Sequence, residues 1–375
     1  MRDGCVQYKI PFIRPIFPSI DEISKDYQKI VSSNWYSNFG QYEKELSLKA
    51  AQFVGSTVYA TTVANCTLGI DIAVLALFDT SKRKVVTQSF TFAAGAEVLI
   101  RNGFEPLFID INKQTWQMDL RQAEEVIVED AEDIAGILLC NTFGVGNPDI
   151  EQWERLAKKH DIPLIIDTAA GFGSRYGSDE IVGGRGDCEV FSLHATKPFA
   201  VGEGGLITSR NEELIQKLRS LQNFGFEGDR MVHMIGMNAK MQEFTCAIGV
   251  RQLEKLSERV ITRQDKLRTY KKHLESQGFI FQPGDEASTV PFVSVLVPNG
   301  VDVSEAQERL QEAGVEARRY YTPAVHLHPV IMAHASISRQ LTATEDISDS
   351  IISLPLLNDM TDDDIRMICD TLKES

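Results

Sequence analysis

From Thr57 to Leu221 the chain alternates short runs of branched apolar residues with stretches whose apolar positions recur at helical spacing. The short runs are TVYATT, KVVTQ, EPLFIDI, IAGILLCN, IPLIID, CEVFSL and GGLITS. Between them, CTLGIDIAVLAL, AAGAEVLIRNG, DLRQAEEVIVED and DIEQWERLAKKH read as helices, the last with Asp149 as its cap, and NEELIQKLRSLQN adds one more after the seventh run. Strand and helix in alternation predict a βαβ architecture: an α/β large domain with a mostly parallel seven-stranded sheet covered by helices on both faces. The character changes after Phe226. EGDRMVHMIGMNAKMQ is irregular, and the segment from Glu243 to Gly278 reads as one long charged helical stretch bridging to a second domain. The last hundred residues offer a strand run (TVPFVSVLV), a helix (VSEAQERLQEAGV), a loop rich in Pro and His (YYTPAVHLHPV) and a closing helix (TDDDIRMICDTL). The expected division is a large domain with an N-terminal arm over 1–255 and a smaller α+β domain over 256–375.

Composition narrows the class. A chain of 375 residues exceeds what a single core usually fills, in keeping with one large domain and one smaller. Its net charge of -15 argues against nonspecific nucleic-acid binding, which needs a basic face. The six cysteines are scattered and form no C-x-x-C pair, so neither a disulfide framework nor a zinc site is indicated. The opening MRDGCVQYKIPFIRP lacks the apolar core of a signal peptide, and no run approaches the ~18 apolar residues of a membrane helix. A soluble, cytoplasmic protein with reduced thiols is the expectation.

The candidate chemistry falls at one edge. In an open parallel sheet ligands bind outside the carboxyl ends of the strands. There Cys66 and Thr67 follow the first strand and open a helix, Phe92 follows the second, Asp167 ends IPLIID, and Ser192 and Lys197 end CEVFSLHATK. A helix opening at ANCTLG offers free N–H groups and a dipole for an anion, although Asn65 or Thr67 fits a plain helix cap as well. No Walker lysine accompanies it, and GVGNPD and GRGDCE lack the third glycine of a dinucleotide fingerprint. Asp167 sits behind three apolar residues, so its carboxylate needs a partner. That partner is a salt bridge, a cap to the next turn, or a protonated ring nitrogen brought by a cofactor. A phosphate cradle, an aromatic plate, a carboxylate for a pyridinium and a lysine for an aldehyde together specify pyridoxal phosphate (PLP), with Lys197 forming the Schiff base.

The motifs NWYSNFGQYEKELSLKAAQFVG, ANCTLGIDIAVLAL, SFTFAAGAEVLIRNGFEPLFIDINKQTWQMD, DTAAGFGS, SLHATKPFAVGEGG, GMNAKMQEFTCAIGVRQLEKL and ISLPLLNDMTDDDI occur in this order over nearly the whole chain. With them the sequence resembles the DegT/DnrJ/EryC1/StrS family of sugar aminotransferases, PLP enzymes of the aspartate aminotransferase fold. The resemblance assigns Lys197 to the cofactor aldehyde, Asp167 to the pyridine nitrogen, Phe92 to the ring face, and Cys66, Thr67 and Ser192 to the phosphate. It makes Asn238 a phosphate contact from a partner subunit, which implies a homodimer with shared active sites. It places Trp35, Tyr36, Tyr321 and His326 near the sugar substrate, although packing of aromatic residues accounts for them equally well. One departure stands out: many relatives carry glutamine where this chain has Ala170, and that glutamine bonds the cofactor's ring hydroxyl. A dehydratase branch has histidine in place of Lys197, so deoxygenation is disfavoured. The resemblance implies transfer of an amino group from L-glutamate to a nucleotide-linked keto-deoxysugar, with Lys197 as general base and acid. The other readings are a PLP-dependent lyase or dehydratase and a non-catalytic PLP-binding regulatory protein. Retention of both Lys197 and Asp167 argues against the second of these.

Overall fold

The computed structural model describes residues 8–177, 180–229 and 231–373. Cys5 and Arg230, both within segments read above, lie outside the described residues. Eight strands build the main sheet, in the spatial order Tyr59–Val63, Gly205–Ser209, Cys188–Ser192, Leu164–Asp167, Ile134–Cys140, Lys84–Gln88, Glu105–Ile109 and Ser336–Ile337. Gly205–Ser209 runs antiparallel to both of its neighbours, and every other pairing is parallel. All seven strands expected from the sequence are present, and the expected number is corrected by one. The eighth strand comes from late in the chain, pairing Ser336 with Leu107 and Ile337 with Phe108. Two residues carry no readable period, so the pattern could not announce it.

The strands alternate between two buried faces. Val86, Ile137, Leu139, Leu164, Ile166, Phe191 and Leu206 face one core, while Val85, Leu138, Ile165, Val190 and Ile207 face the other. Helices Gln41–Val54, Leu120–Glu129 and Ile150–His160 contribute to the first core, and Cys66–Leu77, Ala94–Arg101 and Glu212–Leu221 to the second. A separate antiparallel sheet of Ile280–Phe281, Val293–Leu296 and Ile351–Leu354 packs with helices Val303–Glu312 and Asp362–Lys373 around its own core. Ile10 joins that core and pairs with Val315, so the segment at the start of the chain is carried by residues some 300 positions later.

Two local expectations are revised. The charged stretch after Glu243 is two helices, Glu243–Glu254 and Leu256–Leu274, because Lys255 leaves helical geometry (φ -105°, ψ 1°). Each half follows a different core: Cys246, Ala247 and Val250 enter the large one, and Leu267, Tyr270 and Leu274 the small one. Asp149 does stand at the cap position of Ile150–His160, its carbonyl accepting the Gln152 and Trp153 N–H groups at 2.8 and 3.0 Å, but its carboxylate caps no backbone N–H and accepts from the Gln152 side-chain amide at 2.8 Å.

Candidate active site

The site is set by how closely one helix lies on the sheet. At Gly69 a Cβ would stand 2.7 Å from Val190 Cγ1, and at Gly205 it would stand 2.9 Å from the Asn65 carbonyl carbon. These two glycines let the helix Cys66–Leu77 begin against the carboxyl ends of the central strands. Asn65 caps it, Oδ1 accepting the Leu68 N–H at 2.9 Å, which decides the cap question for Asn65. The N–H groups of Cys66 and Thr67 open the helix and have no intrahelical acceptor. The Thr67 hydroxyl is likewise unengaged among the described residues.

Asp167 ends its strand buried, 9% exposed. Its Oδ1 accepts the Ala169 N–H at 3.0 Å and lies 4.0 Å from Cys66 Sγ. Its Oδ2 accepts no hydrogen bond among the described residues. Burial pushes this carboxyl up to about 6, with the Ala169 N–H and the Lys197 charge pulling the other way. Lys197 sits on the turn that links Cys188–Ser192 to its antiparallel neighbour Gly205–Ser209. That turn is closed by Leu193 N–H to Gly204 O, Ala195 N–H to Gly202 O and Val201 N–H to Leu193 O, with Gly202 at φ +100°. The Lys197 amine makes no hydrogen bond or ion pair among the described residues. Burial lowers its proton affinity, and Cys66, Asp167 and Cys140 oppose that. An amine and a carboxylate at one strand edge, neither holding a full complement of partners, is the chemistry of a site built for a ligand.

The turn carrying Asp167 is held from beneath. Asn141 donates its backbone N–H to Asp167 O at 2.9 Å, and its side-chain amide to Thr168 Oγ1 at 2.8 Å and Tyr176 Oη at 3.0 Å. Both hydroxyls then donate to Glu189 Oε2, at 2.9 and 3.1 Å, while Glu189 Oε1 accepts the Gly183 and Arg185 N–H groups at 2.7 and 3.0 Å. Sequence reasoning missed Asn141, Glu189 and Cys140. A charged residue inside the apolar run CEVFSL was the available signal for Glu189.

The structure sorts the other predicted residues. Ser192 is half-buried beside the Asp167 turn, its N–H donating to Ala169 O and its Oγ accepting the His194 N–H. Ala170 lies in that turn, its carbonyl accepting from Thr289 Oγ1 at 2.8 Å. Tyr321 stacks on Phe143 with ring centroids 5.3 Å apart and lies within electrostatic reach of Asp167 and Cys140. His326 lies five residues further along the same loop. It is buried, with Nδ1 2.6 Å from Ser89 Oγ and Nε2 3.2 Å from Glu345, so both ring nitrogens are engaged in holding the strand end that leads to Phe92. Trp35, Tyr36, Phe92 and Asn238 are exposed, and none makes a hydrogen bond or ring contact with Asp167 or Lys197.

These residues fit pyridoxal phosphate. The unpartnered Asp167 Oδ2 suits a ring nitrogen, the unpartnered Lys197 amine suits an aldehyde, and the open helix start at Cys66 suits a phosphate. A mostly parallel sheet with that lysine and that carboxylate at its carboxyl edge defines a PLP-dependent aminotransferase of fold type I. This chain belongs to the DegT/DnrJ/EryC1/StrS aminotransferase family, whose model matches residues 19–373. Protein Rv3402c of Mycobacterium tuberculosis H37Rv is 40% identical over 371 residues, covering 98% of this chain and 90% of its own length. A dTDP-4-amino-4,6-dideoxy-D-glucose transaminase of Shigella dysenteriae is 28% identical, covering 96% of this chain and 97% of its own. Among solved structures, a candidate PLP-dependent aminotransferase from Bacillus cereus ATCC 10987 superposes with a TM-score of 0.92 at 34% identity, covering 97% of this chain and 99% of that one.

Proposed function

We propose that this enzyme transfers the amino group of L-glutamate to a nucleotide-linked keto-deoxysugar, a 4-keto-6-deoxyhexose in preference to a 3-keto sugar, for aminosugar and surface-polysaccharide biosynthesis. The observation that carries the reading is the unpartnered Lys197 amine beside the under-bonded Asp167 carboxylate. The name of the Shigella relative, a transaminase of a dTDP-linked amino sugar, supports the acceptor class.

In this reading Asp167 holds the cofactor's ring nitrogen, the Cys66 and Thr67 N–H groups with Ser192 hold its phosphate, and Phe92 covers a ring face. When bound, the cofactor supplies an aldehyde to capture the donor amine and an electron sink for the α-carbon. Lys197 moves the proton. A base must be neutral to accept, and the burial that lowers its proton affinity favours that form. As the ammonium it then gives the proton back, and with the keto sugar the same transfer runs in reverse. Asp167, as an anion above about pH 6, keeps the facing nitrogen protonated.

The same reading makes the working form a cytoplasmic homodimer with shared sites, to which Asn238 contributes, and divides the chain at 255/256. Exposed apolar side chains support pairing: Ile20, Phe92, Met231 and Ile235 are 82%, 64%, 62% and 85% exposed. The test is in two halves. The loaded enzyme mixed with L-glutamate alone should release one equivalent of 2-oxoglutarate per site, and the same enzyme should then aminate a nucleotide-linked 4-keto-6-deoxyhexose, read by mass. Release of ammonia or pyruvate without any keto acceptor would mean a lyase and end the proposal.

A further inference from the structure

The turn that carries Asp167 is gripped from a second side, by a residue 119 positions beyond Ala170 in the chain. Asn141 holds the Asp167 carbonyl from the sheet, and Thr289 holds the far end of the turn. The Thr289 Oγ1 donates to Ala170 O at 2.8 Å, and its N–H donates to Ser174 Oγ at 3.0 Å. Thr289 is fully buried, and the turn lies so close to it that a Cβ at Gly173 would stand 3.3 Å from its Cγ2. Gly144 packs against the same carbonyl, where a Cβ would stand 2.6 Å from Ala170 O.

Thr289 is itself placed by the long helix Leu256–Leu274. Gln264 Nε2 donates to Ser288 O at 3.1 Å, and the buried Arg263 donates to Val290 O at 2.7 Å and to Pro291 O at 2.8 Å. Between those two grips Val290 stands at φ +48°, a left-handed conformation that a β-branched residue rarely adopts and that persists only where its surroundings impose it. What the imposed segment presents is the Thr289 hydroxyl. The Asp167 carboxylate accepts the Ala169 N–H from within the turn, so its direction follows the turn's backbone. That backbone is fixed at Asp167 O by Asn141 and at Ala170 O by Thr289, while Ser192 N–H reaches Ala169 O at the longer distance of 3.2 Å. We infer that Thr289 is a positioning residue, which holds the turn at Ala170 so that the Asp167 carboxylate faces the cofactor's ring nitrogen. This rests on the role given to Asp167 in the reading above and deepens it, since the aim of the acid is then set jointly by the sheet and by the long helix.

Thr289→Val keeps the shape and removes the donor, whereas Thr289→Ser keeps the donor. PLP affinity of the full-length protein, by fluorescence titration, should fall about tenfold in Thr289→Val and recover in Thr289→Ser. In an Asp167→Asn background Thr289→Val should cause no further loss, because the group it positions is gone. An equal fall in both backgrounds means that Thr289 only supports the fold and overturns the inference, as does a Thr289→Val protein that binds PLP like wild type. A second readout needs no cofactor. The pH midpoint at which Asp167 titrates, about 6, is read as the stability difference between each protein and its Asp167→Asn counterpart. It should move down in Thr289→Val, as the released carboxylate gains water, and return in Thr289→Ser. Lys197, Cys66, Cys140 and Tyr321 are the titratable groups that act on Asp167, and every variant keeps them. An unmoved midpoint overturns the inference. If Asp167→Asn alone leaves PLP affinity unchanged, the ring-nitrogen role fails, and a shifted midpoint still shows Thr289 setting the carboxylate.

Discussion

Two buried carboxylates on adjacent parallel strands, Asp167 and Glu189, live under opposite rules. Glu189 has four donors, two backbone and two hydroxyl, and because Asn141 donates to both hydroxyls their protons must point at Glu189. That arrangement has no room for a proton on the acid, so it holds an anion even though burial pushes the group up to about 7. Asp167 has one N–H, and its second oxygen is left open. A carboxylate that is fully bonded by its own chain is architecture. One that is left short is waiting for something the chain does not supply.

The comparison is sharpened first by Lys197→Ala, which should cut amino transfer by about a thousandfold or more while leaving the protein folded, read by glutamate-dependent formation of 2-oxoglutarate alongside thermal denaturation. Glu189→Gln should do the reverse. Its amide would face donors with donors and cost about 3 kcal/mol of stability by denaturant unfolding. A variant as stable as wild type would show that Glu189 is not the anchor described. Asp167→Asn tests the other side. In the cofactor-free protein Asp167 binds its proton more tightly folded than unfolded. The stabilisation from that proton is complete below about pH 4 and gone as pH rises through about 6. The variant should therefore be more stable than wild type by about 3 kcal/mol near pH 8, and the advantage should vanish below about pH 4. A gain that does not depend on pH would break the contrast. The smallest effect belongs to Thr67→Ala, which removes one neutral donor and should weaken PLP affinity by about tenfold, measured by fluorescence titration.

Much of this was legible in the chain. The strands were readable because each buried run is bounded by turn residues, Asp167 because it closes the apolar run IPLIID, and Lys197 because it falls in the Pro- and Gly-containing turn after CEVFSL. What stayed hidden had a physical reason. Helices Ile20–Ser33 and Gln41–Val54 precede the alternating region; the first did carry a readable signal, a Ser19–Glu22 capping box and an amphipathic face, whereas apolar and polar residues are mixed more evenly around the second. Ser336–Ile337 is too short for periodicity. Asn141 acts through what it bonds, and partnership between residues far apart in the chain is not a property of spacing. His326 shows the same limit from the other direction. The resemblance puts it near the sugar substrate, with packing an equal reading, and its bonds to Ser89 and Glu345 are not visible in the loop's composition.

The tie from Ser89 through His326 to Glu345 sets an order of events at birth. Ser89 emerges from the ribosome long before its two partners are translated, and the strand end leading to Phe92 has to wait for them. A nascent chain released early would carry the lysine and the aspartate yet lack the clasp on that edge. Quality control acting on such fragments would meet an almost finished sheet with one corner unfastened.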